Sequence, residues 1–262
     1  NAAYSTCPTG KIPLAYISDA RYLPKDMDAI KQAIMDHGAI FTMMYFNTGS
    51  GYYNSADHTY YYNGTEPVNH VVDLVGWDDN KVTAGGEGAW ICRNSYGAGW
   101  GEQGYFYVSY NNNSFLDYNA YWPTRMDYEP EAQVYGYDEL GNYAATEWGG
   151  RSGFMLVKCT ATQSQLISKV ATYAMAAGTT IGIDIYDHFD AITGRLSGQR
   201  THQAGLPCEL PGYYTFTLDE PVAVTAGNDF YIRIYYQTPS YDYPIPIEKA
   251  IAEDRPLRQF WA

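Results

Sequence analysis

The spacing of apolar residues near the start of the chain predicts one amphipathic helix. The segment 23–26 supplies a helix start signal, and Met27, Ile30 and Ile34 follow at positions i, i+3 and i+7. Gly38 comes next and favours a helix C-terminus. We therefore expect a helix over residues 24–37 with one apolar face.

Short apolar segments separated by turns dominate the rest of the first half, and they predict strands. The predicted strands are 39–46, 71–77, 89–93 and 104–110. Residues 47–66 are polar and rich in Gly, Asn and Tyr, so loops are expected there. Short strands of this kind indicate a small barrel or sheet.

Strict alternation of apolar and polar residues marks the second half. Ile181, Ile183 and Ile185 point one way, and the same period recurs over residues 214–218 and 230–235. The turn signals between these segments are Pro211-Gly212, Glu220-Pro221 and Ala226-Gly227-Asn228. The pattern is typical of an antiparallel β-sandwich with aromatic outward faces.

A polar stretch marked by prolines, residues 111–135, separates these two patterns. Boundaries between domains favour such stretches. The sequence therefore predicts one domain over residues 1–130 and a second over residues 131–262.

Composition and charge exclude several classes of partner. The 262 residues carry a formal net charge of -13, with 46% hydrophobic and 17% charged residues. Nucleic acid and anionic membrane surfaces require clustered Lys and Arg, so neither is expected as a partner. No apolar run approaches the roughly 20 residues that span a bilayer, and no membrane span is predicted.

The four cysteines, Cys7, Cys92, Cys159 and Cys208, form no C-x-x-C pair. This argues against a zinc ribbon or a thioredoxin-type site, and neither a metal nor a cofactor is predicted. Cys159 and Cys208 both fall in the second half, and the sequence leaves open whether they pair.

The segment from Val68 to Tyr110 carries the candidate chemistry. His70 stands at the head of an apolar strand, and Asn94 ends a later strand just before a Gly-rich turn. Taken singly, such a histidine is more often structural and such an asparagine more often a turn former. Together they fit an arrangement in which an imidazole activates a thiol and an amide oxygen orients the imidazole.

Two motifs in this segment resemble those of the papain-like (cathepsin-type) cysteine peptidases. The first is Asn69-His70-Val71-Val72 with Val75-Gly76-Trp77. The second is Arg93-Asn94-Ser95 with Gly97, Trp100-Gly101 and Gly104-Tyr105. The resemblance covers about residues 1–125. It implies a fold that is mainly β with minor α, in which the β-barrel half of a papain-like α+β fold precedes an antiparallel β-sandwich.

The same resemblance implies that His70 and Asn94 are catalytic and that Asn69 and Val71 border the substrate cleft. The turn containing Trp100 is expected to shield the bond between His70 and Asn94.

This sequence departs from the family pattern in two places within these motifs. Tyr96 stands where the family usually has a tryptophan over the Asn–His pair, and a tyrosine shields less completely. Residues 79–87 are additional and are expected to form an elongated hairpin turn.

The family's nucleophile signature, C-G-[SA]-C-[WY], does not occur in this sequence. Cys7 has none of the motif around it, and Cys92 is expected to be a small buried hydrophobe in a strand. The chain begins at Asn1, so we expect a piece of a longer protein whose N-terminal segment carries the nucleophilic Cys. The expected partners are that segment and a protein or peptide substrate, in a secreted or cell-surface enzyme. The chain alone is expected to be inactive.

Residues from about 135 onward resemble the lectin-like β-sandwich that follows the peptidase in some bacterial and archaeal papain-like proteins. The resemblance rests on the segments 166–174, 179–187, 212–218, 221–234 and 241–248. It implies adhesion or carbohydrate binding through outward Tyr and Trp side chains, with a structural appendage as an equal alternative.

Two hypotheses for the whole chain follow from these resemblances. The first is part of a secreted cysteine endopeptidase with a Cys-His-Asn mechanism. The alternative is a non-catalytic adhesion protein that binds glycans and keeps a peptidase remnant. Asp184, Asp187 and Asp190 offer oxygen ligands of the kind calcium prefers, but a solvated strand end is the favoured interpretation.

Overall fold

The computed structural model describes residues 14–136, 144–146 and 150–247, and for 144–146 the backbone alone. These residues form two compact units. The first unit is Ala20–Pro123, and the second unit joins residues 14–19 to the described residues from Thr124 onward. The boundaries of the two predicted domains, with their division near residue 130, stay a prediction.

The elements of the first 127 residues are β1 (Ala15–Ile17), β2 (Ala20–Leu23), α1 (Met27–His37), β3 (Ile40–Met44), a 3₁₀ turn (Thr48–Ser50), β4 (Tyr53–Asn54), β5 (Thr59–Tyr60), β6 (His70–Thr83), β7 (Gly86–Arg93), β8 (Tyr105–Ser109), β9 (Phe115–Tyr121) and β10 (Arg125–Asp127). Those that follow are β11 (Ala144–Thr146), β12 (Ser152–Thr160), β13 (Gln165–Ala174), β14 (Thr179–Asp190), β15 (Arg195–Cys208), β16 (Gly212–Val224), β17 (Asp229–Gln237) and β18 (Ile245–Ile247). The fold is mainly β with minor α, as the sequence predicts. None of the helices formed by the described residues is long and apolar enough to cross a membrane.

Helix α1 lies where the apolar spacing predicts it. The Asp26 side chain caps its start by accepting a hydrogen bond from the Ala29 N–H at 2.8 Å. Gly38 ends it with φ of 85°, and the N–H of Gly38 donates to the carbonyl of Ile34. Ile30 and Ile34 are buried in the core, whereas Met27, the first residue of the predicted apolar face, is 40% exposed.

The sheet of the first unit has the strand order β2-β9-β3-β6-β7-β8-β5-β4. Its pairs are antiparallel except for β5 with β8, which is parallel. The core below it is built from fully buried apolar residues, among them Ile40, Leu74, Trp90, Phe106 and Val108.

Three details of this sheet differ from the prediction. Residues 47–66 contain the 3₁₀ turn and strands β4 and β5, where only loops were expected. Residues 79–87 form a hairpin, as predicted, but β6 and β7 stay paired as far as Thr83 opposite Gly86, so the turn itself is only residues 84–85. Strand β9 was not predicted, since its buried and exposed residues do not alternate.

The second unit contains an antiparallel sandwich. One sheet has the order β12-β17-β14-β15, and β13 pairs with β16 across the core. Ile181, Ile183 and Ile185 are fully buried in that core, as their alternation predicts. Glu220-Pro221 is not a turn between strands; it lies within β16, where the register with β13 shifts. Proline is tolerated at such a bulge because it has no N–H to offer the ladder.

Candidate active site

His70 and Asn94 come together at one end of the first unit's sheet. His70 is the first residue of β6, and Asn94 directly follows β7, the strand paired with β6. The His70 Nε2 and Asn94 Oδ1 atoms are 2.9 Å apart. Asn94 is 5% exposed, whereas the imidazole is half-buried. The hydrogen bond is therefore largely shielded while the ring keeps an accessible edge.

The hydrogen bonds of Asn94 decide which imidazole nitrogen carries the proton. The N–H of Ser95 donates to Asn94 Oδ1 at 2.8 Å. A backbone N–H can only donate, so the atom that it contacts is the amide oxygen. That oxygen can only accept from His70, and Nε2 must carry the hydrogen. Nδ1 of the neutral ring is left with its lone pair, as a general base requires.

The amide nitrogen of Asn94 is buried and has no hydrogen-bond partner among the residues that the structure describes. Leaving such a donor unpaired costs about 1–3 kcal/mol. The Asn94 side chain is thus oriented so that its oxygen accepts two hydrogen bonds, and the unpaired nitrogen lowers the stability of the fold. Local compromises of this kind are expected at functional sites.

An aromatic cluster surrounds the imidazole. The ring of Phe46 stacks on His70 with a centroid distance of 5.0 Å and an interplanar angle of 21°. Tyr96 approaches the imidazole at 5.5 Å and is 52% exposed, so it covers the ring only in part. Trp100 packs against Phe46 at 6.0 Å and against Tyr96 at 5.5 Å. Trp100 therefore supports the two rings that contact His70.

Asn69, the residue before His70, holds Phe46 in place. Its Oδ1 accepts the Phe46 N–H at 2.8 Å, and its Nδ2 donates to the Phe46 carbonyl at 3.3 Å. The neighbouring Val71 is 43% exposed. Sequence analysis proposed Asn69 as a cleft residue and overlooked Phe46. Phe46 lies two residues beyond Met44, which pairs with His70, so period-2 alternation places all three side chains on one face.

The turn after Asn94 depends on glycine. The Asn94 N–H donates to the Gly104 carbonyl at 2.9 Å, which closes the turn behind the asparagine. Gly101 has φ of 60°, and a Cβ at this position would collide with the carbonyl oxygen of Tyr105. Gly97 also has positive φ, at 82°, but its missing Cβ would meet open space. The two glycines are needed for different reasons.

The described cysteines are not placed for nucleophilic attack. Cys92 is fully buried in β7, as predicted. Burial and then the negative charge of Asp73 raise the pKa of the Cys92 thiol well above its usual value, so the thiolate is disfavoured. Cys159 and Cys208 lie buried in the core of the second unit. Cys7 lies outside the described residues.

The three aspartates weighed as calcium ligands, and interpreted as a solvated strand end, are engaged in contacts within the protein. Asp184 is 5% exposed and ion-paired with Arg233, and Asp187 pairs with Arg200. Asp190 accepts hydrogen bonds from backbone N–H groups in its own turn. Among the described residues no group of three or more His, Cys, Asp or Glu is placed to hold a metal ion.

Two family models match the chain, one for each half. The model for papain family cysteine proteases matches residues 3–124. The model for a lectin-like domain matches residues 134–256.

Proteins similar to the first half include cysteine proteases. A cysteine protease of Blomia tropicalis is 37% identical over 100 residues, which are 36% of this chain and 27% of that protein. Cathepsin B-like CP2 of Giardia intestinalis is 32% identical over 111 residues, which are 38% of this chain and 34% of that protein. The chain thus spans only a minor part of the length of these relatives.

Solved structures show the same fold over nearly the whole chain. The cysteine protease and lectin-like domains of Cwp84, a surface layer associated protein of Clostridium difficile, superpose with a TM-score of 0.76. The sequence identity is 18%, over 94% of this chain and 57% of that one. Cwp84 after propeptide cleavage gives a TM-score of 0.78 and 17% identity, over 95% and 64% of the two chains.

Along the chain, the sheet of the first unit precedes the sandwich of the second unit, and the papain family match precedes the lectin-like match in the same way. Residues 3–124 are thus similar to papain family cysteine proteases, and residues 134–256 are similar to a lectin-like domain.

Proposed function

We propose that this chain supplies the histidine and asparagine of a cysteine endopeptidase, with the nucleophilic cysteine on a segment outside this sequence. One observation carries the proposal: His70 donates through Nε2 to Asn94, which leaves Nδ1 free to act on a thiol. The buried, high-pKa thiol of Cys92 supports a nucleophile from elsewhere. The chain by itself is then inactive.

In the proposed reaction, His70 takes the thiol proton on Nδ1, and the thiolate attacks the peptide carbonyl carbon. The C–N bond breaks as imidazolium Nδ1–H protonates the leaving amine, which yields a thioester. His70 then removes a proton from water, and the hydroxide attacks the thioester. The tetrahedral intermediate expels the thiolate, and the proton taken from water stays on the imidazole. The carboxylic acid product then departs. Asn94 keeps the ring orientation through both protonation states.

The neighbouring residues have supporting roles in this proposal. Asn69 and exposed Val71 border the substrate cleft, and Asn69 also fixes Phe46 behind the imidazole. Tyr96 and Trp100 limit the access of water to the Asn–His bond, which strengthens it. We further propose that the enzyme is secreted or displayed at the cell surface.

The test compares this chain alone with this chain plus the nucleophile-bearing segment, on the same polypeptide or as a separate piece. Peptide hydrolysis is expected only in the second preparation. His70→Ala should lower kcat/KM by about 10³-fold or more. His188→Ala is the matched control, because His188 is an exposed histidine of the second unit and should leave the rate unchanged.

Intact-mass analysis with an epoxide inhibitor of thiol proteases then locates the nucleophile. One inhibitor mass is expected on the added segment and none on this chain. Hydrolysis by this chain alone, or inhibitor bound to one of its cysteines, would contradict the proposal. Full activity of His70→Ala would do the same.

A second candidate function is glycan binding by the lectin-like domain. The observation that favours it is a pair of exposed aromatic side chains on adjacent strands of one sheet, Phe154 and Tyr235, which are 49% and 41% exposed. Binding of a polysaccharide by the whole chain, measured without any peptidase substrate, tests this function independently of catalysis.

A further inference from the structure

The outer face of the sheet β12-β17-β14-β15 presents a polar cluster away from the sandwich core. Asp184 on β14 lies opposite His202 on β15 and opposite Arg233 on β17. Directly opposed residues of antiparallel strands share a face. Ile183 and Ile185 flank Asp184 in sequence and point into the core, so the cluster faces outward.

Asp184 organises this cluster through a saturated carboxylate. Its Oδ2 accepts from Arg233 Nε at 2.9 Å and Nη2 at 2.7 Å. Its Oδ1 accepts from His202 Nδ1 at 2.6 Å and from Gln199 Nε2 at 3.0 Å. With four donors the carboxylate has no remaining capacity for a ligand. Its effect is to fix three donor side chains.

The groups that Asp184 fixes keep outward polar atoms. His202 has 65% of its side chain exposed, and its contact through Nδ1 leaves Nε2 as the outward nitrogen. Arg233 has 35% of its side chain exposed, and Nη1 takes no part in the bonds to Asp184. The Arg233 guanidinium also sits 5.3 Å from the Tyr186 ring centre, which restrains it further.

Aromatic surface adjoins these polar atoms in the next row of the sheet. Tyr235 lies opposite Phe154 on one side and Gly182 on the other. A Cβ on Gly182 would be 3.4 Å from Tyr235 Cβ and 3.9 Å from its ring carbon Cδ1, so the Tyr235 side chain lies close to the glycine. Tyr235 and Phe154 thus present exposed aromatic side chains on the same face, with Tyr235 two residues along β17 from Arg233 and His202 two strands further across the sheet.

The charges of this face favour an uncharged ligand. Arg233 is neutralised by Asp184, and Lys158 pairs with Asp229 at 2.6 Å. The whole chain has a net charge of -13, which repels anions. A fixed donor on Arg233, a fixed ring nitrogen on His202 and exposed aromatic side chains match a molecule with hydroxyl groups on its edge and C–H groups on its face.

We infer that this face binds neutral saccharide chains, with sugar rings stacked on Tyr235 and Phe154 and hydroxyls of the same chain bonded to Arg233 and His202. The inference deepens the glycan-binding function proposed above by assigning it a site and a ligand class. It is independent of the peptidase chemistry, since its residues all belong to the second unit.

Affinity electrophoresis of the whole chain in native gels tests the site. The probes are three neutral polysaccharides (a β-glucan, a galactomannan and an arabinoxylan) and two anionic ones (alginate and heparin). Retardation is expected with at least one neutral polysaccharide. Tyr235→Ala and Phe154→Ala should each weaken it roughly tenfold. Tyr118→Ala, which removes a 60% exposed tyrosine from the first unit, should leave it unchanged.

Tyr235→Phe separates stacking from folding, because it keeps the ring; it should retain most of the binding. The possible failures are distinguishable. Retardation by a neutral polysaccharide that survives both alanine substitutions overturns the site and leaves the glycan-binding function standing. Retardation only by alginate or heparin overturns the neutral ligand class. No retardation by any probe overturns the glycan-binding function itself.

Discussion

Each unit of the molecule has a histidine that contacts a side-chain oxygen from a neighbouring segment of its sheet, but the two arrangements differ in every chemical detail. His70 uses Nε2, its partner is the neutral amide of Asn94, and the distance is 2.9 Å. His202 uses Nδ1, its partner is the carboxylate of Asp184, and the distance is 2.6 Å. Asp184 is also ion-paired with Arg233, whereas the neutral amide oxygen of Asn94 also accepts from the Ser95 N–H.

The difference shows what each partner is suited to. A catalytic base changes its protonation state in every cycle, and an amide oxygen accepts a hydrogen bond from Nε2–H in both states without taking the proton. A carboxylate already paired with arginine holds its neighbours in one arrangement, which suits a recognition surface. The surroundings agree with this division: Phe46 stacks on His70 at 5.0 Å, while His202 is mostly open to solvent.

The largest effect is expected when the amide partner of His70 is removed. Asn94→Ala in the assembled peptidase should lower kcat on the order of 10²–10⁴-fold, because the ring loses its orientation and its preferred tautomer. His202→Ala should change kcat by less than about twofold, since no reacting group depends on it. Steady-state kinetics with a peptide substrate measures both. A loss smaller than fivefold in Asn94→Ala would mean that other contacts orient His70.

The next effect tests how the first unit holds Asn94. Gly101→Ala should lower the free energy of unfolding by about 3 kcal/mol or more, because the new Cβ meets the Tyr105 carbonyl at positive φ. Gly97→Ala is the matched control. It has positive φ without a clash and should cost about 1 kcal/mol. Urea unfolding followed by tryptophan fluorescence measures the two values, and equal losses would contradict the role of the Tyr105 contact.

Local patterns explain which parts of the fold could be predicted. Helix α1 follows from its apolar spacing, an Asp26 cap and a Gly38 stop, which all lie within a few residues of one another. The burial of Ile181, Ile183 and Ile185 could be predicted because the alternation of apolar and polar residues is enough to assign them to one face. The short strands β4 and β5 depend on partners, since β5 pairs with β8 almost fifty residues later. Such strands have no signal of their own.

The candidate site divides in the same way. The sequence motifs pointed to His70 and Asn94, and the structure brings the two side chains together. Phe46 was overlooked because its role depends on the register between β3 and β6. Asp184 resembled a solvated strand end, but its partners come from β15 and β17, which no local pattern connects. Long-range pairing therefore decides the details that sequence analysis could not provide.

The third prediction concerns the carboxylate of the second unit. Asp184→Asn removes the charge that Arg233 faces while keeping the shape, and it should lower the free energy of unfolding by about 1–3 kcal/mol. Asp187→Asn breaks the more exposed pair with Arg200 and should cost about 1 kcal/mol or less. Thermal and urea unfolding of the whole chain measure both. A larger loss from Asp187→Asn would reverse the relative importance of the two pairs.

The smallest effect is expected from a cation–carboxylate pair in the first unit, Lys31 with Asp79, where the carboxylate is 61% exposed instead of 7% as in Asp184. Lys31 Nζ lies 2.7 Å from Asp79 Oδ1, and this contact connects α1 to β6, the strand that begins at His70. Hydrogen bonds from Lys31 and then from Tyr110 lower the pKa of Asp79. Burial by itself would lower the pKa of Lys31, but the hydrogen bonds of Lys31 with Asp79 and Tyr110 outweigh burial and raise the pKa.

These two shifts give the pair a defined pH window. The depressed pKa of Asp79 means that its contribution is present above the unfolded value of about 4 and is lost as pH falls through the folded pKa. The raised pKa of Lys31 means that its contribution is present below about pH 10 and is lost as pH rises through the folded pKa. The difference in Tm between the native chain and Asp79→Asn should therefore be greatest near neutral pH and vanish well below pH 4. Asp117→Asn, which breaks the exposed pair with Lys25, should give a smaller difference near neutral pH. A Tm difference for Asp79→Asn that persists at pH 2 would show that this carboxylate acts through shape and packing, not through its charge.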